Sequence, residues 1–347
     1  MNLKKLIIVS GPTASGKSKF AIELAKNLNG EIINIDSVQV YKDFNIGSAK
    51  IHKEEQCEIN HHLIDIIEPD SDFNVADYIK LADQIINNII DKGKIPILVG
   101  GTTLYIKALL YGLNKLPETN SKIRDDLARF STPEIYNAIK NFELDSAEVL
   151  KLAKIHSNDR YRLEKFYETY LLKIENPNFN FIDDSFKKSK YSALIILPLI
   201  SREDLYKKIN LRTKKMLDLG LVDEVKKIIN KYNSDLKPLK SLGYKEVMKF
   251  LENQNFDLES EIAKNTRRYA KRQMTFWNNE PKKMRWIEFP NISSSSNNSG
   301  KSCIGLLRTG EKENLVYNIS ESQITSKITN IYNILNNEIY VLRFKNF

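Results

Sequence analysis

The fold is decided by the stretch Gly11-Pro12-Thr13-Ala14-Ser15-Gly16-Lys17-Ser18. It follows a continuous apolar run, Leu6–Val9, which predicts a buried parallel strand. After it, Ala21, Leu24 and Leu28 recur at helical spacing, which predicts a helix. A loop of the pattern G-x-x-x-x-G-K-[ST] between a strand and a helix is the setting in which that pattern binds phosphates.

The chemistry of this loop favours a diphosphate or a triphosphate. Its glycines let successive backbone N–H groups face a phosphate, and the N-terminus of the following helix adds partial positive charge. Lys17 adds a full positive charge, and the hydroxyl of Ser18 can hold Mg²⁺. We therefore predict that the whole loop binds the phosphates: Gly11, Pro12, Thr13, Ala14, Ser15, Gly16, Lys17 and Ser18.

The rest of the first two hundred residues alternates between strand and helix patterns. Four further apolar runs predict buried strands, and one long periodic stretch, Val75–Ile90, predicts a helix. Such alternation is typical of an α/β fold with a doubly wound parallel sheet, here of the P-loop type. The predicted strands are Ile32–Ile35, Leu63–Ile67, Pro96–Val99 and Ala193–Leu197.

Changes in composition divide the chain further. Residues 117–190 are charged and helical, without a convincing strand, and predict a helical insertion between the core segments 1–116 and 191–290. Residues 291–321 begin with a run of Ser and Asn, which predicts a flexible loop. Residues 322–347 are expected to form a C-terminal helix and tail, with one apolar face made by Ile324, Ile328, Ile331 and Leu335.

Composition excludes several classes of protein. The chain has 347 residues, a formal net charge of +9 and only two cysteines, Cys57 and Cys303. Two isolated cysteines exclude a disulfide framework and a cysteine zinc site, and they fit a reducing cytoplasm. We find neither a signal peptide nor an apolar run long enough for a membrane span. The positive charge favours a polyanionic partner, although a merely basic globular protein would also show it.

Asp36 is the first candidate for chemistry outside the loop. It follows the second predicted strand, at the carboxyl edge where open α/β sheets place their ligands. A carboxylate there suits two roles, because it can hold a metal ion in a kinase or accept a proton as a general base. A turn-capping aspartate beside Ser37 is the third possibility.

Three motifs beyond the phosphate loop narrow this choice. They are Asp36–Lys50, which contains D-S-V-Q-V-Y and I-G-S-A-K, then His61–Asp65 and Gly100–Tyr105. Together with the loop, in this order, the chain resembles the tRNA dimethylallyltransferase family. The resemblance covers about residues 5–290 and continues through His156–Asp159, Leu242–Glu246 and Thr266–Gln273.

The resemblance implies an activity and residues that perform it. A dimethylallyl group would pass from dimethylallyl diphosphate to the N6 amine of the adenosine directly 3′ of the anticodon in tRNA. Asp36 would take the amine proton, while Thr102 and Arg212 would assist the diphosphate and Mg²⁺ would sit at Ser18. We expect a cytoplasmic monomer whose partners are the diphosphate and the tRNA anticodon stem-loop, with no membrane.

The same resemblance implies which residues meet the RNA. Ser37, Val38 and Gln39 would line the adenine pocket together with Asp36 and Thr102. The anticodon loop would contact the predicted insertion through Arg124, Asp159, Arg160, Tyr161, Arg162 and Leu163.

A cluster of cations in the last motif predicts a second RNA contact. Lys264, Arg267, Arg268, Lys271 and Arg272 recur at helical spacing and can form one positive stripe. The resemblance assigns tRNA contacts to Arg268, Lys271 and Arg272. A solvated helix face is the alternative interpretation of such a run.

Two other functions compete with prenyl transfer. A P-loop kinase for a nucleoside or another small molecule would use Lys17 for ATP and Asp36 for Mg²⁺. It would not need Gly100-Gly101-Thr102 or an exposed basic stripe. A non-catalytic RNA-binding protein with a vestigial phosphate loop would tolerate loss of Lys17, Ser18 or Asp36, yet all three are present.

Overall fold

The chain divides into two compact units in the computed structural model. The larger unit comprises Met1–Gly112 and Phe186–Phe347, and the smaller is Leu113–Ser185. The expected insertion boundaries, 117 and 190, remain predictions, because both junctions contain residues that the structure does not describe. It describes residues 2–113, 121–175, 189–283, 287–288, 302–306, 315–319, 328–333, 335 and 338–345.

The larger unit is built on a parallel sheet. Within the described residues its order is β3-β2-β4-β1-β5-β9-β6, and every neighbouring pair is parallel. Strands β7 and β8 form a separate antiparallel hairpin. The strands are β1 Lys5–Val9, β2 Gly30–Ile35, β3 His61–His62, β4 Ile95–Gly100, β5 Ser192–Leu199, β6 Ile287–Glu288, β7 Ser302–Leu306, β8 Leu315–Ile319 and β9 Ile339–Lys345.

Helices connect these strands and fill the smaller unit. The predicted α/β fold with a parallel sheet is confirmed, and the long helix expected after Asn74 is present as α2. A short helical segment at 328–333 precedes β9. The helices are α1 Lys17–Leu28, α2 Val75–Asp91, α3 Thr103–Tyr111, α4 Ser121–Ala128, α5 Thr132–Lys140, α6 Ser146–Leu152, α7 Arg160–Glu175, α8 Arg202–Asp218, α9 Leu221–Lys231, α10 Tyr244–Glu252 and α11 Leu258–Lys283.

The central strand β1 shows why the sheet is buried on both faces. Leu6 and Ile8 belong to one core cluster, with side chains of α2, α3, α9 and α10, whereas Ile7 and Val9 belong to another, with α1 and the segment 328–335. Alternate side chains of a strand point to opposite faces, so one continuous apolar run supplies both layers. Each fully buried side chain of this size contributes about 1.5–3 kcal/mol.

The smaller unit has a hydrophobic core of its own. Leu127, Ile135, Ile139, Leu152 and Leu163 are buried together within it. Helix α5 begins with a capping box in which Glu134 accepts a hydrogen bond from the backbone N–H of Ser131 at 2.7 Å. The described residues of this unit contain four helices and no strand, as the sequence pattern predicts.

One strand prediction was wrong in its position. The run Leu63–Ile67 does not form a strand; β3 is His61–His62, and Ile67 makes only an isolated bridge with Tyr41. Leu63 and Asp65 adopt positive φ angles of 60° and 54°, which end the extended backbone. Leu63 is nevertheless buried, so the apolar residue reflects packing in a turn.

The prediction for the C-terminal part was also wrong in two places. Residues 291–321 were expected to be a flexible loop, but they contain the hairpin β7–β8. The expected tail contains β9, which lies between β5 and β6 in the sheet. The sequence offers a physical reason for these strands. β-Branched residues favour the extended backbone, and each strand contains at least one of them in a short apolar run: Ile304 in β7, Val316 in β8 and Ile339 in β9. Ile328, Ile331 and Leu335 are buried as expected, whereas Ile324 lies outside the described residues.

Candidate functional site at the phosphate-loop end of the sheet

The phosphate loop leads directly from β1 into α1. Gly11 and Gly16 have φ angles of 125° and 93°, conformations that side-chain-bearing residues rarely adopt. A Cβ at Gly11 would also approach Cδ of Pro198 to 2.6 Å. Nζ of Lys17 donates a hydrogen bond to the carbonyl oxygen of Pro12 at 2.6 Å, so the lysine folds back over its own loop. The buried hydroxyl of Ser15 has no hydrogen-bond partner among the described residues.

Asp36 lies one residue beyond the end of β2. Its Oδ1 accepts hydrogen bonds from the backbone N–H groups of Val38 at 2.8 Å and Gln39 at 3.2 Å. Burial raises the pKa of Asp36, although these two hydrogen bonds and the charges of Arg212 and Lys17 oppose the rise. A carboxylate whose charge is poorly solvated accepts a proton more readily than an exposed one.

Lys17, Asp36 and Arg212 form one electrostatic unit. Burial and, to a smaller extent, the charge of Arg212 lower the pKa of Lys17 to about 7, against the raising effect of Asp36. Burial also lowers the pKa of Arg212, against the raising effect of Asp36. Two cations beside one carboxylate leave an excess of positive charge, which suits an anionic ligand.

A cavity of about 100 Å³ brings these groups together. It lies at the carboxyl end of the parallel strands, where doubly wound sheets bind ligands. Ser18 of α1 and Tyr269 and Gln273 of α11 also border it. The remaining lining residues are Thr13, Ile32, Asn34, Gln39, Ser48, Ala49, Ile51, His61, Ile64, Val99, Gly100 and Gly101.

Thr102 is the N-cap residue of α3, beside this cavity, and contacts Tyr269. Burial and the charge of Asp36 raise the pKa of Tyr269 to about 12, although hydrogen bonding with Thr102 and Gln273 lowers it. The phenol therefore stays protonated at neutral pH and keeps a proton to donate. Thr102 is thus part of a hydrogen-bonded group that the sequence did not reveal.

Gln273 joins two loops that are far apart in the sequence. Its Oε1 accepts a hydrogen bond from the backbone N–H of Thr13 at 2.8 Å, and its Nε2 donates to the carbonyl oxygen of Gly101 at 2.8 Å. The side chain is almost fully buried, with 3% exposure. The side-chain amide of Gln273 therefore connects the phosphate loop with the loop before α3.

The loop after Asp36 is supported by α9 and α10. Glu224 accepts hydrogen bonds from the backbone N–H groups of Asn45, Ile46 and Gly47 at 3.1, 2.7 and 3.1 Å. The hydroxyl of Tyr244 donates to Glu224 at 2.8 Å, and a Cβ at Gly47 would meet the Tyr244 ring at 2.5 Å. This support fixes the chain that follows the predicted adenine-pocket residues.

Within that loop the predicted adenine-pocket residues differ in exposure. Ser37 is exposed, whereas Val38 and Gln39 are partly buried. Nε2 of Gln39 donates to the carbonyl oxygen of Ser48 at 2.9 Å, which ties the start of the loop to its end. The Gln39 side chain borders the cavity, but the cavity lining includes neither Ser37 nor Val38.

The two neighbouring histidines have structural contacts. Nε2 of His62 lies 2.8 Å from Oε2 of Glu31, and Nδ1 of His61 lies 2.8 Å from the carbonyl oxygen of Ile59. Although burial opposes it, hydrogen bonds from Lys94, His62 and Asn60 lower the pKa of Glu31 to about 2. The part of the chain that the structure describes contains no group of three His, Cys, Asp or Glu residues arranged to hold a metal ion.

Most of the predicted RNA-contact residues of the smaller unit begin α7. Oδ1 of Asp159 caps this helix by accepting from the backbone N–H of Arg162 at 3.2 Å, and Oδ2 pairs with the Arg162 guanidinium at 3.0 Å. Arg160 donates to the carbonyl oxygens of Phe130 and Leu127 at 2.7 and 2.8 Å, so it holds the unit together.

Exposure separates the remaining members of this set. Tyr161 has 70% of its surface exposed, whereas Leu163 is completely buried. The side chain of Leu163 therefore packs in the core of the unit and is not available at its surface. Arg124 lies on α4, and its side chain is outside the described part of the structure.

The basic stripe of α11 is narrower than its sequence suggests. Lys264 and Arg267 are partly buried, with Lys264 paired to Glu261 at 2.7 Å and Arg267 donating to Asn210 of α8 at 2.8 Å. Arg268, Lys271 and Arg272 are exposed. These three residues are the basic face of α11 below.

The sequence prediction named no role for Tyr269 or Gln273. Both lie in the stretch Thr266–Gln273, which belongs to the family resemblance and in which only the cations were assigned a role. Their spacing of four residues places them next to each other on one side of α11, beside the basic face, where the Arg272 guanidinium lies 5.7 Å from the centroid of the Tyr269 ring. That spacing was the available signal, but nothing in the sequence shows that this side meets the phosphate loop.

Known proteins match most of the chain. The family model described as IPP transferase matches residues 39–280. A tRNA dimethylallyltransferase of Geobacter sulfurreducens is 40% identical over 82% of this chain and 92% of its own. One of Alkaliphilus metalliredigens is 39% identical over 84% of this chain and 94% of its own.

Solved structures agree with these relatives. The tRNA isopentenylpyrophosphate transferase of Bacillus halodurans is 33% identical with a TM-score of 0.59, over 80% of this chain and 87% of that one. A eukaryotic dimethylallyltransferase acting on tRNA is 29% identical with a TM-score of 0.66, over 79% of this chain and 69% of that one. The extent of these matches shows that the chain belongs to the IPP transferase family.

Proposed function

We propose that this chain is a tRNA dimethylallyltransferase. It transfers the dimethylallyl group of dimethylallyl diphosphate to the N6 amine of the adenosine directly 3′ of the anticodon and releases diphosphate. The observation that carries the proposal is that the Asp36 carboxylate borders the same cavity as Lys17 of the phosphate loop and Arg212. A proton acceptor and a diphosphate site must be adjacent for this reaction.

On the acceptor side, Asp36 acts as the general base. The exocyclic amine of adenine shares its lone pair with the ring, so it attacks carbon well only as its proton leaves. The N6–C1 bond forms while the C1–O bond breaks, the proton passes to Asp36, and the bonding electrons leave with the diphosphate. Burial keeps this carboxylate ready to accept a proton, and such catalysis typically contributes about 10²–10⁴-fold.

On the donor side, the cavity stabilises growing negative charge on the leaving diphosphate. The N–H groups of the phosphate loop, Lys17 and Arg212 face this charge before the reaction starts and need not reorganise. The Thr102 hydroxyl, held by Tyr269, donates to a leaving-group oxygen. The hydroxyl of Ser15, which has no partner among the described residues, is a further donor that the ligand can use.

Mg²⁺ fits this site as an ion bound chiefly through the substrate. The Ser18 hydroxyl borders the cavity near Asp36, and no described acidic cluster offers a complete set of protein ligands. Mg²⁺ commonly binds through one or two protein groups, waters and substrate phosphates. When bound it neutralises charge on the diphosphate, and Ser18 is the residue that holds it.

The tRNA is the second substrate, recognised through its anticodon stem-loop. Ser37, Val38 and Gln39 follow Asp36 and meet the adenine, and the basic face of α11 meets RNA phosphates. In the smaller unit, Arg124, Asp159, Arg160, Tyr161 and Arg162 are the proposed contacts, with Leu163 supporting them from the core. The chain acts in the cytoplasm, where its tRNA is found, and acts as a monomer.

A nucleoside analysis tests the proposal. Purified chain, dimethylallyl diphosphate, Mg²⁺ and an anticodon stem-loop RNA are incubated, and the digested RNA is examined by mass spectrometry. We expect a nucleoside heavier by one dimethylallyl group, and none from a control RNA with guanosine at the target position. Phosphorylated small molecules formed from ATP, without prenylated RNA, would instead identify a P-loop kinase.

No helix in the described part of the chain is long and apolar enough to cross a bilayer. The proposal requires no membrane partner, because both the diphosphate and the RNA reach the site from water.

A further inference from the structure

The Gln273 side chain lies at the contact between two loops of the cavity. Its Oε1 accepts a hydrogen bond from the backbone N–H of Thr13 in the phosphate loop, and its Nε2 donates one to the carbonyl oxygen of Gly101, each at 2.8 Å. One planar amide therefore sets the separation of these two backbone atoms. Because the amide is buried, removing it would leave the Thr13 N–H donor and the Gly101 carbonyl acceptor without partners, which is unfavourable.

Gly101 is shaped to receive this amide. A Cβ at position 101 would lie 2.3 Å from Nε2 of Gln273, far inside van der Waals contact. Gly101 does not have a positive φ angle, so the backbone conformation does not explain the glycine. Position 101 requires a glycine because any side chain there would occupy the space of the Gln273 amide.

Helix α11 holds Gln273 in a fixed place. Ala270 packs against Leu205 and Ile209 of α8, the helix that also carries Arg212. One turn before Gln273, Tyr269 hydrogen bonds with Thr102, the residue after Gly101. The amide and the phenol therefore hold the loop before α3 at two consecutive residues, while the amide alone reaches the phosphate loop.

We propose that Gln273 is a positioning residue that sets the distance between the phosphate loop and the loop carrying Thr102, so that both contact one diphosphate. The inference rests on the proposed function and assigns the diphosphate to the space between these loops. Donors that stabilise a leaving group act only at the correct distance, and a displacement of about 1 Å can cost roughly 10²-fold in rate.

Two substitutions of Gln273 test this role, because each removes a different set of its hydrogen bonds. Gln273→Met keeps the length of the side chain but removes both hydrogen bonds. Gln273→Glu keeps an acceptor for Thr13 N, loses the donor to Gly101 and adds a negative charge. Asn279→Met is the matched control, because it removes an exposed amide from the same helix. Circular dichroism and thermal melting establish that each variant is folded.

The primary readout is the binding of inorganic diphosphate with Mg²⁺, measured by calorimetry without RNA. We expect at least roughly tenfold weaker binding for both Gln273 variants, since tenfold corresponds to one lost hydrogen bond of about 1.4 kcal/mol. Asn279→Met should bind as the unaltered chain does. Folded Gln273 variants that bind diphosphate within about twofold of the unaltered chain would overturn the proposal.

A pH series separates positioning from general damage. In the Gln273→Glu variant, a protonated carboxyl group has one donor and one acceptor, so it can replace both hydrogen bonds of the amide. We therefore expect the deficit of Gln273→Glu, relative to the unaltered chain at the same pH, to shrink as the pH is lowered from about pH 7 to about pH 4.5, because the ordinary pKa of glutamate is about 4.3 and burial at this position raises it. The deficit of Gln273→Met should stay constant. Equal pH dependence in the two variants contradicts the assigned hydrogen bonds.

A double-mutant cycle tests the pairing with Gly101. Gly101→Ala should weaken diphosphate binding in the unaltered chain but do so much less in a Gln273→Ala background, because the clash is then absent. Additive losses would show that the two positions act separately. If the unaltered chain itself does not bind diphosphate, the proposed function fails, which this experiment distinguishes from a failure of the positioning role alone.

Discussion

The phosphate-loop cavity and the basic face of α11 both carry positive charge, but they carry it differently. In the cavity, Lys17 and Arg212 are partly buried, share one carboxylate and have shifted pKa values. On α11, Arg268, Lys271 and Arg272 stand exposed to water. A poorly solvated charge interacts strongly with the atoms beside it, whereas an exposed charge is screened over about 8–10 Å.

Under the proposed function, the cavity carries out the chemistry and the basic face of α11 binds the RNA. Groups in the cavity have fixed positions, so a small change there alters the reacting atoms. Exposed cations meet RNA phosphates without reading sequence, so their loss weakens binding gradually. Substitutions in the cavity should therefore act on turnover and donor binding, and those on the basic face should act on salt-dependent RNA affinity.

The largest effect is expected at Asp36. Asp36→Asn keeps an oxygen that can accept from Val38 N and Gln39 N, so the turn should survive while the base is lost. We expect kcat to fall by about 10²–10⁴-fold with tRNA affinity changed little. Single-turnover rates and RNA binding titrations measure the two quantities. Turnover within about threefold of the unaltered chain would exclude Asp36 as the base.

A second prediction uses the pKa of Lys17. Because this pKa is lowered to about 7, the free chain should lose the ammonium charge as the pH rises through neutrality. Affinity for diphosphate should then fall above about pH 7, by up to about tenfold per pH unit. Lys17→Arg is the comparison, because arginine stays charged over this range. A parallel pH dependence in the two proteins would contradict the titration of Lys17.

A smaller effect is expected from Glu224, which holds the loop after Asp36 in place. Glu224→Ala removes the acceptor for three backbone N–H groups of the loop that follows Asp36. We expect a loss of about 1–3 kcal/mol in the free energy of unfolding and a severalfold rise in KM for tRNA. Asp223→Ala, at an exposed neighbour on α9, is the control. Denaturant unfolding and steady-state kinetics provide the measurements.

Local patterns predicted one end of the cavity well and the other poorly. The strand, loop and helix around Lys17 lie close together in the chain, so local patterns alone placed them and put Asp36 at the end of β2, the next strand in the chain. Gln273 reaches Thr13 across 260 positions, a contact set by the packing of α11 on α8. No spacing rule conveys such a contact.

The same distinction explains the errors elsewhere in the chain. Leu63–Ile67 has the composition of a strand, but positive φ angles at Leu63 and Asp65 make it a turn. Strand β9 was missed because its place in the sheet is fixed by β5, which lies far before it in the sequence. In Leu63–Ile67 only Leu63 is buried, and Ile66 is 40% exposed, so the apolar composition of this run indicated neither its backbone conformation nor the burial of most of its residues.

The smallest effect is expected from the basic face of α11. Substitutions there distinguish RNA binding from catalysis most directly. Arg268→Gln combined with Arg272→Gln should weaken tRNA binding without changing diphosphate affinity, because both side chains are exposed on α11 and absent from the cavity lining. Each lost phosphate contact should reduce the slope of log affinity against log salt by roughly 0.7–0.9. Lys226→Gln with Lys227→Gln removes two exposed charges from α9 and serves as the control. Titrations at several salt concentrations measure the slope. A double variant with the slope and affinity of the unaltered chain would show that the basic face is only solvated. The RNA would then be bound chiefly by the smaller unit, where Arg162 and Tyr161 are exposed.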